Sequence, residues 1–96
     1  MRISGIFFIF VYMDKEQINQ LYDSNRLDEA EALLGSREDA WSLYMLGRIE
    51  WKRGHRGAAI SLYVRSSALE PTGPASTALE QARAIMDFFN KDLYNP

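Results

Sequence analysis

The chain has 96 residues, 47% of them hydrophobic and 25% charged, with a formal net charge of −2 and no cysteine. That length holds one small domain, and the balance is globular rather than disordered. The missing cysteines exclude a disulfide framework, a thiolate zinc site and a cysteine nucleophile, and fit a cytoplasmic setting.

The first feature in chain order is an unbroken apolar run from Ile6 to Met13. A membrane-spanning helix needs about 20 such residues, so no membrane span is expected here. A secretory signal would add a small-residue cleavage site, whereas Asp14, Lys15 and Glu16 follow the run directly. Residues 1–13 are therefore read as an apolar N-terminal extension, with Met13 as the expected native start. If the segment belongs to the protein, it is a strand-like strip packed on a helix or a self-association patch.

Helical patterning begins at Asp14. Asp14 with Gln17 three residues on makes a capping-box-like start, and Ile18, Leu21 and Tyr22 recur at helical spacing. Ser24 and Asn25 end this helix, asparagine being able to hold the left-handed C-terminal position. A second helix turns Leu27, Ala30, Leu33 and Leu34 to one side, with Asp28 and Glu29 in the first turn, where the helix dipole favours acids. Gly35 stops it. Ser36 is the expected cap of the third helix, with Glu38 and Asp39 in its first turn.

The third helix runs from Ala40 through Trp51, closed by Lys52 and Arg53 and ended by Gly54. The fourth spans about Arg56 to Leu69 and turns Ala59, Ile60, Tyr63 and Val64 inward. Pro71, Gly73 and Pro74 break the chain, and Pro74 suits the first position of a fifth helix. That helix shows Ala78, Leu79, Ala82, Ile85, Met86 and Phe89 on one face, and residues 91–96 are expected to fray. The pattern predicts a single domain over residues 14–90, all-α, of two helical hairpins and a closing helix.

Charge is unevenly spread. Between Asp14 and Asp39, eight acids face Lys15, Arg26 and Arg37; between Ala40 and Glu70, five bases (Arg48, Lys52, Arg53, Arg56 and Arg65) face Glu50 and Glu70. Such asymmetry can steer a charged partner or favour self-association, and it is equally the pattern of solvated helix faces.

Leu46-Gly47, Gly54, Ala59, Tyr63 and Pro71 stand at the spacings of a tetratricopeptide repeat, and the stretch from Ala40 to Pro71 resembles that family. Glu50, where the family has an aromatic, and Ser66, where it has alanine, depart from the pattern. Leu27, Asp28, Glu29 and Ala30 resemble the opening of a second repeat helix, with Leu34 in the aromatic's place. The interval from Ala30 to Ala59 falls short of the family's period of about 34, which implies a truncated second helix or a tight connection. The resemblance implies antiparallel hairpins stacked as a short right-handed superhelix of about five helices: two repeats with a C-terminal capping helix.

Little in the sequence supports catalysis. His55 is the only histidine and sits among Lys52, Arg53 and Arg56, which would repel a metal ion; neither metal nor cofactor is expected. Asp28, Glu29 and Glu31 suit the helix dipole better than acid–base chemistry. No glycine-rich loop follows a strand. The basic turn Lys52 to Arg56 lacks the broad positive face of a nucleic-acid binder, so no nucleic-acid partner is expected.

In the resembled family, the first helix of each pair lines a concave groove that takes a peptide or protein segment. This implies a binding stripe of Trp41, Tyr44, Arg48, Trp51 and Lys52 on the third helix, joined by Lys15, Asn19 and Tyr22 on the first. Aromatic residues and arginine are the types that dominate binding hot spots; some of these rings can equally belong to the core. Lys15 and Asn19 match two members of a carboxylate clamp found in some cochaperone repeats. The later members fall near Met45, Ala75 and Leu79, which cannot pair with a carboxylate. The expectation is an adaptor for a protein partner. The alternative is a homodimer assembled through the fifth helix or the Ile6–Met13 strip.

Overall fold

The turns explain most of this architecture. The computed structural model describes residues 15–94, with side chains described through residue 88. Its helices are α1 over residues 15–23, α2 (Leu27–Leu34), α3 (Ala40–Lys52), α4 (Arg56–Leu69) and α5 (Pro74–Tyr94). The fold is all-α, without a strand among the described residues. The Ile6–Met13 run, the Asp14 cap and the Phe89 side chain lie outside the described residues.

α1 ends with Asn25 at φ 63°; its amide donates to the Tyr22 carbonyl (3.0 Å), and the Arg26 amide donates to Leu21 (2.8 Å). α3 ends with Gly54 at φ 85°; its amide donates to Trp51 (3.0 Å), and the His55 amide donates to Glu50 (2.9 Å). Both are the paired hydrogen bonds of a Schellman turn, which satisfy two orphan carbonyls and reverse the chain within three residues. The interval from Asn25 to Gly54 equals that from Ala30 to Ala59, both alanines being fully buried, so turn and second helix keep one register in the two hairpins. The shortfall from a period of about 34 lies in α2, with 8 residues against 14 in α4, rather than in the turn. By contrast, the step from the start of α3 at Ala40 to the start of α5 at Pro74 is a full period of the family.

The chain divides into two compact units, Met1–Ser36 and Arg37–Pro96. In the first, Ile18, Ala30 and Leu34 are fully buried while Leu21, Leu27 and Leu33 are half-buried.

In the second unit α4 packs against both α3 and α5. Its core joins Ala59 and Tyr63 of α4 to Ala75, Leu79 and Ala82 of α5, with Tyr44, Trp51, Ile60 and Ala78 packed on the edge. Gly47 permits this approach: a Cβ there would stand 2.5 and 2.7 Å from two Tyr63 ring carbons and 3.3 Å from the Ala59 carbonyl oxygen. Burial of side chains such as Leu79 supplies about 1.5–3 kcal/mol each before entropy is charged against it. Ser66 is buried as well, its hydroxyl donating to the Ala40 carbonyl at 2.6 Å and tying α4 to the start of α3.

Several sequence expectations are corrected. Asp39, not Ser36, caps α3: one carboxylate oxygen accepts from the Ser42 amide (3.1 Å) and the other from the Ser42 hydroxyl (2.7 Å). Glu38 and Asp39 therefore precede the helix instead of filling its first turn. Val64 is 40% exposed, because the inward stripe of α4 is Ala59, Tyr63 and Ser66, and Val64 falls about 100° beyond Tyr63. Ile85 is 39% exposed for the same reason, the stripe of α5 running through Ala75, Leu79 and Ala82 towards half-buried Met86.

Candidate partner-binding face

α3 carries the candidate site. At about 100° per residue, Trp41, Tyr44, Arg48, Trp51 and Lys52 fall within an arc of about 100°. Trp41, Tyr44, Arg48 and Trp51 are half-buried, and Lys52 is exposed. The Tyr44 ring lies 6.1 Å from that of Tyr63, tilted by 37°. Tyr44 and Trp51 both pack against the α4–α5 core, the core alternative left open by the sequence.

Each ring also carries a guanidinium. Arg48 Cζ stands 5.6 Å from the Tyr44 centroid, and its Nη1 lies 3.6 Å from Met45 Sδ. Arg56 Cζ stands 5.3 Å from the Trp51 centroid. A cation over an aromatic face is worth about 0.5–1 kcal/mol when exposed, and it fixes a long side chain that would otherwise sample many rotamers. Arg56 is absent from the predicted stripe. Five residues beyond Trp51, it would point elsewhere on a continuous helix; the Schellman turn brings it back over the ring. The glycine at 54, readable as a helix stop, was the available signal.

The turn's acid lies on the other side of α3. Glu50 accepts from Arg53 Nη1 at 3.0 Å and stands 2.7 Å from His55 Nδ1. An ionised carboxylate only accepts, so Nδ1 carries the proton. The His55 hydrogen bond first, and the Arg53 contact with it, hold the Glu50 carboxyl below its ordinary 4.5, against the upward push of burial. His55 is thus placed as a partner of Glu50 at the helix end.

Lys15, Asn19 and Tyr22 share one face of α1, with Lys15 and Tyr22 half-buried and Asn19 exposed. They belong to the first compact unit and the α3 stripe to the second. The described residues contain no group of three or more His, Cys, Asp or Glu placed to hold a metal ion. No helix among them is long and apolar enough to cross a membrane. Neither a family model, nor a curated protein, nor a solved structure matches the chain.

Proposed function

We propose that this protein is a non-catalytic interaction module, a cytoplasmic adaptor of tetratricopeptide-like hairpins that holds a peptide or protein segment against α3. One observation carries the reading: Tyr44 and Trp51, on one face of α3 and packed against the core, each have an arginine guanidinium over the ring, Arg48 from α3 and Arg56 from α4. Anchored aromatics beside arginine supply contact area and directional donors at low entropic cost, the combination typical of hot spots. The shared turn geometry of the two hairpins and the full-period step from α3 to α5 support the tetratricopeptide-like part of the proposal.

A second reading, a structural homodimer, is favoured by the outer part of α5, where Ile85 is 39% and Phe88 69% exposed. The two are separated by placing a photo-cross-linking amino acid at exposed Lys52 and irradiating the protein in native lysate. Adducts with other proteins, lost when Arg48 is reversed to glutamate, support the adaptor. Adducts with its own chain alone, or none at this position, overturn it.

A further inference from the structure

The outward side of α5 carries a second surface. At about 100° per residue, Thr77, Gln81, Ala84 and Phe88 fall within an arc of about 60°, opposite buried Ala75, Leu79 and Ala82. All four are exposed, and exposed Ile85 adjoins them. Their spacing of four, three and four is that of the contact seam between two paired helices. Small Ala84 and large Phe88 follow each other along it, the alternation with which facing helices interdigitate.

The charges beside this seam say what fits it. Glu80, Arg83, Asp87 and Lys91 fall along one flank of α5, within an arc of about 80°, and read acid, base, acid, base in chain order. A second α5 laid parallel would set like charges side by side. Laid antiparallel about a two-fold axis near Ile85, it sets each acid level with a base: Glu80 with Lys91 and Arg83 with Asp87, each pair formed twice. The Ile6–Met13 run is the other apolar segment to weigh, but it has no charge with which to match this flank.

We propose that the outer face of α5 binds α5 of a second copy of this chain, antiparallel, with Phe88 of each copy packed against Ala84 of the other and the charged flanks paired. This rests on the homodimer reading above and leaves the peptide face of α3 in place, presented twice. The same alternation of charge also supports the helix itself, through pairs three and four residues apart. Mixing two variants separates that effect from pairing between copies.

The test is sedimentation equilibrium of the full chain. A dimer is expected at about 100 μM, one helix face from each copy being a small and weak interface. Glu80→Lys with Asp87→Lys leaves four bases on the flank, and Arg83→Glu with Lys91→Glu leaves four acids. Each double variant, its helical content checked by circular dichroism, should pair about tenfold less tightly or worse. An equimolar mixture of the two should recover a dimer at least as tight as wild type. Phe88→Ser, which leaves the charges alone, should weaken pairing about tenfold in its own right. A wild-type chain that stays monomeric at the same concentration overturns both the α5 pairing and the homodimer reading. A dimer indifferent to flank reversal, or a mixture that recovers nothing, overturns the α5 interface and leaves the homodimer reading standing. A dimer lost on removal of residues 1–12 but insensitive to the flank variants overturns it in favour of the Ile6–Met13 strip.

Discussion

The α1–α2 and α3–α4 hairpins close with the same turn yet fill equivalent positions differently. When the two turns are aligned on Asn25 and Gly54, the places of Gly47 and Tyr63 are held in the first hairpin by Ile18 and Leu34, both fully buried. One hairpin has a medium aliphatic residue on each helix. The other has nothing on α3 and a full aromatic ring on α4. Volume is redistributed across the pair, as expected where cores tolerate changes that conserve total volume and resist those that do not. The ring also has a consequence for the surface: Tyr63 reaches far enough to support Tyr44, and Tyr44 holds Arg48. Leucine at that place offers no aromatic support. The candidate binding face therefore belongs to the hairpin with the glycine–aromatic pair.

The largest effect should come from forcing one solution into the other hairpin. Gly47→Ile places a branched side chain where even a Cβ meets the Tyr63 ring and the Ala59 backbone, so the helices must part or the ring must leave the core. The expected loss is about 3 kcal/mol, at the upper end of overpacking penalties, read as a lower urea midpoint. Adding Tyr63→Leu recreates the first hairpin's pair and should restore about 1–2 kcal/mol of that loss, a coupling visible in a double-mutant cycle. A double variant no more stable than the sum of the singles would mean that the hairpins are not alternative fillings of one plan.

The turns provide a smaller contrast. Gly54 and Asn25 both hold positive φ, but only glycine does so without a Cβ penalty. Gly54→Ala should cost about 1–2 kcal/mol, because alanine in the left-handed region carries the full steric cost. Asn25→Ala should cost only a few tenths, asparagine having already accepted most of it, and Asn25→Gly should raise the melting temperature. Equal losses at the two sites would show that the turns share hydrogen bonds without sharing their energetics.

These same features separate what was legible in the sequence from what was not. The helices and their breaks were readable because glycine, proline and asparagine punctuate them: Gly35, Gly54 and Pro74 fall where they are expected, and Asn25 takes the left-handed position. The flanks of the inward stripes were not. Val64 and Ile85 are apolar and adjacent to truly buried positions, and a helical pattern cannot distinguish edge from centre until a neighbour defines the axis. Buried Ser66 went the other way, since its place depends on the carbonyl of Ala40, on a different helix and far off in the chain. At the site, the shared face of Trp41, Tyr44, Arg48, Trp51 and Lys52 follows from spacing alone. Arg56 over Trp51 does not, because it requires the geometry of the turn.

The smallest expected effect concerns acid, and it too distinguishes the hairpins. Glu50 and His55 flank the second turn; at the equivalent places around the first stand Leu21 and Arg26, which cannot form such a pair. Because the folded state holds the Glu50 carboxyl below its ordinary 4.5, the pair's contribution is fully present above that value and is lost as pH falls through the lowered one. His55→Ala removes the largest cause of the lowering. Wild type and variant should therefore converge at the acid end, where Glu50 is protonated in both, and separate where the carboxylate is ionised. His55 is mostly exposed, so solvent screening limits the separation to a few tenths of a kcal/mol, and added salt should shrink it further. The measurement is urea unfolding across an acid-to-neutral pH series. A separation that persists unchanged below the Glu50 titration would remove the side-chain pair from the energetics of the turn.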